Sequence, residues 1–246
     1  MCGRYALDVT GEEIAATFAA SLGSAAGWQA SWNVAPTLSV PIVRASEGGR
    51  VVDRLRWGLV PSWSGDATIG SRMINARVET AASKPAFRES FDRRRCLVPA
   101  VAFYEWTGTG KRKRPMAIRP ADGSILAFAG LWATTNLDDG TSLETFTILT
   151  TAAVEPIAEV HHRMPVMLPP ERWGAWLDDR SRASGGEDAD GLEAWLRCPH
   201  VPPLDVHEVS RRVNSPAHDE AALLEPVVSD PGDDEAEPGL FDGLSR

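Results

Sequence analysis

The spacing of apolar residues divides the chain into segments of different period. Between Gly11 and Leu22, Ile14, Phe18 and Leu22 recur every four residues. That is the period of one helical face, and it predicts a short amphipathic helix. From Val40 to Leu168 the pattern shortens. Val40–Val43, Leu55–Val60, Leu97–Trp106, Ile125–Trp132 and Thr145–Thr150 are apolar runs interrupted by Pro and Gly, which predicts strands. Pro170–Leu177 predicts a second helix, with Pro in its first turn and Trp173, Trp176 and Leu177 turned inward. A third is expected near Gly191–Arg197, after a loop at Ser184–Asp188. Helices flank a long strand-rich centre and do not alternate with the strands. The expected fold is therefore α+β: a single compact domain over residues 2–227, built around a mainly antiparallel, barrel-like sheet. Residues 228–246, which contain DPGDDEAEPG, are expected to form a disordered acidic tail.

Composition narrows this picture. With 246 residues, 43% of them hydrophobic, the chain can bury a substantial core, which excludes a fully disordered or collagenous protein. No apolar run approaches the roughly 20 residues needed to span a bilayer, and MCGRYALDVTGEE lacks the apolar stretch of a signal peptide. A non-membrane protein is expected. Three dispersed cysteines, Cys2, Cys96 and Cys198, fit a reducing cytoplasm. With the three cysteines far apart, no C-x-x-C, and His161 and His162 pointing in different directions on any regular element, no metal site is expected, nor is a cofactor.

The net charge of −9 argues at first against nucleic acid. Its distribution changes that. The last 30 residues hold nine acids and one base, and the rest of the chain is close to neutral. From Arg44 to Arg119 there are 16 Lys and Arg against 7 Asp and Glu, including Arg93-Arg94-Arg95 and Lys111-Arg112-Lys113-Arg114. Each run alone reads as a solvated loop. Their sum is consistent with a polyanion-binding face.

Several residues carry potential chemistry. Removal of Met1 would leave Cys2 with an α-amine and a thiol on adjacent carbons. The amine, with a pKa of about 8, is partly neutral at pH 7, and the thiol titrates near pH 8.5 unless a neighbour such as Arg4 lowers it. Such a pair reacts with an aldehyde through a Schiff base and then a thiazolidine ring. The alternative is that a cysteine at position 2 has no role. His161, in Glu159–Pro165, is an acid/base type or a structural histidine. Glu105, between Tyr104 and Trp106, is either an acid/base with a raised pKa or a buried ion-pair partner. If extended, Asn75–Thr80 puts Asn75, Arg77 and Glu79 on one side, where Arg77 either holds a phosphate or pairs with Glu79. Trp57–Trp63 is a turn that either presents an aromatic to a nucleobase or packs in the core.

Taken together, Met1–Tyr5, Asn33–Pro36, Trp57–Trp63, Ile74–Thr80, Cys96–Pro99 with Phe103–Trp106, and His161–Pro165 resemble the SRAP family in order and spacing. The family is named for SOS-response-associated peptidases and is better described as abasic-site processing proteins. The resemblance runs from residue 2 to about 227, ending with Val213-Asn214-Ser215. It implies a DNA damage response protein, cytoplasmic and nucleoid-associated, that binds abasic sites in single-stranded DNA as a monomer. Cys2 would form a covalent thiazolidine crosslink to the ring-opened sugar. Glu105 would act as acid/base, His161 would assist Schiff-base chemistry, and Asn75 would position the N-terminus and the sugar. Arg4 and Arg77 would grip phosphates, with Asn33, Trp63 and Arg163 completing the DNA-binding set. Trp63 is suggested as a wedge that fills the gap left by the missing base. The family often has Asp after its active-site His, where this chain has His162. Abasic-site lyase and peptidase activities stay open, as does a non-covalent single-stranded DNA-binding module.

Overall fold

A computed structural model describes residues 2–110, 113–178, 196 and 198–227. The strands are β1 (Tyr5–Leu7), β2 (Ser21–Leu22), β3 (Ser31–Val34), β4 (Ser39–Ser46), β5 (Gly49–Trp57), β6 (Asn75–Arg77), β7 (Arg95–Ala100), β8 (Ala102–Thr107), β9 (Arg114–Pro120), β10 (Leu126–Asn136), β11 (Ser142–Ala152), β12 (Arg163–Pro165) and β13 (Leu204–Glu208). The helices are α1 (Gly11–Thr17), α2 (Val78–Ala81), α3 (Arg88–Arg93) and α4 (Pro170–Leu177).

Five strands close into a ring. β4 pairs with β5 and β7, β7 with β10, and β10 with β11, all antiparallel; β11 then meets β5 in parallel at Thr145–Arg56 and Phe146–Trp57. A second, open sheet has the order β13-β9-β8-β1-β3 and is antiparallel throughout. The α+β, mainly antiparallel, barrel-like expectation holds.

The boundaries differ from the apolar pattern in instructive ways. Helix α1 starts from a capping box, in which Thr10 and Glu13 satisfy each other's backbone N–H groups. It ends at Thr17, because Ala19 takes a positive φ of 47° and the chain turns into β2. Ile14 and Phe18 are buried as the period requires, but Leu22 belongs to a strand and is partly exposed. The run Leu55–Val60 stops being a strand at Trp57. Gly58 has φ 118°, and a Cβ there would sit 2.5 Å from the Gly70 carbonyl oxygen, so only glycine fits this turn. The run Leu97–Trp106 is two strands: β7 belongs to the ring and β8 to the open sheet, with Val101 between them.

Helix α4 matches its predicted bounds, and Trp173, Trp176 and Leu177 are buried. Trp176 donates from its indole to the Cys96 carbonyl at 2.8 Å, and Trp173 stacks on Phe18 at 4.4 Å. The main core runs from Tyr5 and Leu7 through Trp57, Phe103, Phe128 and Phe146 to Trp176. A smaller cluster, Ala6, Tyr104, Ala117, Val213 and Leu223, covers the other face of the open sheet. Among the described residues no helix is long and apolar enough to cross a membrane. The loop at Ser184–Asp188, most of the helix expected near Gly191–Arg197 and the acidic tail lie outside the described residues.

Candidate active site

Strand alternation places the central carboxylate. On β8, Phe103 and Glu105 share one face while Tyr104 and Trp106 take the other. Tyr104 enters the smaller core cluster, its hydroxyl donating to the Trp32 carbonyl at 2.8 Å. Glu105 is thereby driven inward and is buried. Register does the rest. Tyr5 pairs with Phe103 and the Tyr104 N–H donates to the Arg4 carbonyl, so the residues before β1 run back alongside Glu105.

Cys2 is completely buried there. Asn75, on β6, donates from its amide to the Cys2 carbonyl at 2.8 Å. Burial and the nearby Glu105 carboxylate push the thiol up, far from the thiolate range; the amino terminus and a hydrogen bond from the Arg4 backbone N–H oppose this without reversing it. The expected lowering by the Arg4 guanidinium is therefore not what the structure shows, because that side chain turns away. Glu105 is also raised, chiefly by burial, and the positive amino terminus and His162 partly offset this. A carboxyl held up in this way keeps its proton to higher pH than an exposed one. Burial raises the Glu105 carboxyl, and His161 stands within ion-pair range of it at 4.0 Å.

His161 lies in the turn after a 3-10 segment, Ile157–Glu159. Its Nδ1 accepts the Arg163 backbone N–H at 3.0 Å and stands 4.0 Å from Glu105 Oε1. Burial lowers its pKa, which favours the neutral ring. The exposed His162 ring lies against it, with centroids 4.3 Å apart. Cys2, Asn75, Glu105 and His161 thus come together from four separate parts of the sequence. Among the described residues no group of His, Cys, Asp and Glu is arranged to hold a metal ion.

The residues expected to touch DNA divide into two groups. Arg77 ends β6 and is exposed. Trp63 is 64% exposed, at the tip of a loop whose base is fixed. At that base Trp57 is buried and donates to the Ile74 carbonyl, Thr145 accepts the Val60 N–H, and Thr135 donates to the Val60 carbonyl. Nearer the tip, Ser62 donates to Glu89 at 2.8 Å.

Arg4, Asn33 and Arg163 instead turn inward. Arg4 donates to Asn33 Oδ1 and to the Val213 carbonyl, both at 2.7 Å. Asn33 is 2% exposed, and its amide serves the carbonyls of Val213, Ser215 and His218. Arg163 is buried and makes a bidentate pair with Glu79, at 2.5 and 2.9 Å. Glu79 is not in an extended segment with Arg77; it lies in α2, which begins just after Arg77. The Arg77–Glu79 pair is replaced by Arg163–Glu79.

The basic stretch is also partly consumed internally. Arg44 pairs with Asp53 and Glu144, Arg94 with Glu89, and Arg95 is buried against the carbonyls of Phe91, Trp176 and Asp178. Arg72, Arg77, Lys84, Arg88 and Arg93 remain exposed between the Trp63 loop and β7.

A sequence model of the SOS response associated peptidase (SRAP) family matches residues 1–216. The chain belongs to this family. The Bacillus subtilis "abasic site processing protein YoqW" is 36% identical over 227 residues, covering 92% of this SRAP chain and 99% of the relative. The Escherichia coli "abasic site processing protein YedK" is 31% identical over 231 residues, covering 92% and 100%. A crystal structure of a Bacteroides thetaiotaomicron protein superposes with a TM-score of 0.80 at 24% identity, covering 92% of this chain and all of the other, and supports the SRAP fold. Sequence reasoning missed the Arg163–Glu79 pair and the threonines under the Trp63 loop. A pair 84 residues apart leaves no local signal. The run of threonines in Thr145–Thr151 was visible, but a strand explains it without any loop to hold.

Proposed function

We propose that this SRAP protein captures abasic sites in single-stranded DNA as a covalent adduct through Cys2 once Met1 has been removed. The observation that carries the reading is the Cys2 main chain held by Asn75, with its thiol buried beside a raised Glu105 and His161 close by. The order of steps follows from the electrostatics. A thiol held protonated by burial does not attack first. The α-amine does, because its low pKa leaves a neutral fraction at pH 7. Its nitrogen adds to the sugar aldehyde carbon; the resulting hydroxyl leaves as water with a proton from Glu105, and the nitrogen returns its remaining proton to the Glu105 carboxylate, leaving a neutral imine. The Cys2 sulfur then adds to the imine carbon and gives up its proton, and the nitrogen gains one, closing the thiazolidine. Neutral His161 is suited to carry that proton. None of these steps calls for a metal or an organic cofactor.

Exposed Arg77 is assigned to a backbone phosphate and Trp63 to stacking at the missing base, with the unit acting as a monomer. The test is a denaturing gel after incubation with single-stranded DNA carrying one abasic site. A heat-resistant shifted band that disappears in Cys2→Ala is expected. No band from the Met1-processed protein would refute the covalent reading and leave a non-covalent DNA-binding module. Proteolysis of an unrelated protein that Cys2→Ala abolishes would favour a peptidase. The crosslinking rate should pass through a maximum with pH, because it needs both a neutral amine and a protonated Glu105. A rate that only climbs would remove Glu105 as the acid. Replacing Trp63 with Ala should weaken binding by about 1–3 kcal/mol in a fluorescence titration, with no change in melting temperature.

A further inference from the structure

The turn that leads into β12 carries two histidines with different surroundings. It is pinned to the end of β11: the Ala153 N–H donates to the His162 carbonyl at 3.1 Å, and the next residue, Arg163, pairs with Ala152. His161 is partly buried, with Nδ1 4.0 Å from Glu105 Oε1, whereas His162 is exposed. Their rings lie together, with centroids 4.3 Å apart and planes inclined by 33°. Two imidazoles this close repel when both are charged, so the pair takes its first proton more readily than its second. Hydration favours the exposed ring as the place for that proton.

We propose that His162 is a further DNA-contact residue, an imidazole that takes up a proton when a phosphate of the abasic nucleotide docks against it. This rests on the reading above of the site as the place where abasic single-stranded DNA binds. The reacting sugar carries its own two phosphates, so the exposed groups around the site are what they meet. The charges facing His162 suit an anion. His161 and Arg163 flank it on its own turn, Arg77 comes from β6, and the amino terminus from the segment before β1. Glu79 of α2 is engaged by Arg163, and Lys113, just before β9, acts on His161. Glu105 of β8 is the acid that faces the ring, and burial holds that carboxyl toward its neutral form. His161 first, then slight desolvation and the cations, keep His162 below the ordinary imidazole range, so the free protein leaves this ring mainly neutral near pH 7. An incoming phosphate opposes that field and raises the ring's pKa. Binding then draws in a proton: affinity increases as pH falls through the raised value of the complex and levels off below that of the free protein.

The test titrates the protein with single-stranded DNA carrying a tetrahydrofuran analogue of the abasic sugar, which has no aldehyde and cannot be crosslinked. Between about pH 8 and about pH 6 the wild type should tighten about threefold to tenfold more than His162→Gln, tenfold corresponding to one unit of pKa shift. Over the same interval its salt slope should steepen by about 0.7 more than that of the variant, the signature of one added single-strand phosphate contact. His162→Lys, whose charge is fixed, should bind more tightly than the wild type at about pH 8 and lose the same part of the pH response. Melting temperatures verify that both variants fold. The proposal is overturned if His162→Gln keeps the full wild-type pH response, which would place the proton on His161 or the amino terminus. A wild type that binds the analogue at neither pH overturns the DNA reading itself, and the role of His162 with it.

Discussion

Asn33 and Asn75 both hold the N-terminal segment, and they use the same amide differently. Asn33 accepts from Arg4 and donates to three carbonyls of the C-terminal segment, with almost no exposure. Asn75 donates to the Cys2 carbonyl, but its buried Oδ1 has no hydrogen-bond partner among the described residues. The first region is a knot whose amide is fully used. The second is a cluster with an unsatisfied oxygen, a desolvated thiol and a raised carboxyl. Groups left in that state cost stability, and a site accepts the cost when a ligand supplies what is missing.

The contrast can be tested by substitution, starting with the largest expected effect. Asn33→Ala strips a partner from Arg4 and from three carbonyls, and should cost about 3 kcal/mol in denaturant unfolding. A loss under about 1 kcal/mol would dissolve the knot. Asn75→Ala should cost no more than about 1 kcal/mol of stability while slowing crosslinking about tenfold. Equal damage to both quantities would erase the distinction. The smallest effect concerns Glu105→Gln. Because folding raises the Glu105 pKa, its contribution to stability is present below the ordinary carboxylate range and is lost as pH rises through the raised value. The variant should therefore match the wild type near about pH 4 and be at least as stable near about pH 8. Lower stability at the higher pH would mean that the ionised carboxylate is structurally required.

The apolar pattern made the α+β class, the strand runs of the ring and helix α4 legible, because each depends on a local period. Glu105 was legible as one of two alternatives, and its burial depends on packing by β1, which lies far away in sequence. The arginines were the hardest to read. Arg77 and Arg163 are chemically identical in a list of motifs, yet one ends exposed and the other is folded onto Glu79. Only the arrangement around the end of β11 separates them. The summed charge from Arg44 to Arg119 likewise overstated the available field, since Arg44, Arg94 and Arg95 are engaged within the protein.

The stretch that follows β13 has a consequence for association. The open sheet has two edge strands, β3 and β13. An unguarded edge is a template on which another chain can add a strand. Here the Trp32 N–H of β3 donates to Asp219 at 2.5 Å, while Val227 donates to the Glu208 carbonyl and Pro226 bridges Val209 at the end of β13. One short piece of chain thus reaches the outer margins of the sheet on both sides, and it discourages edge-to-edge aggregation.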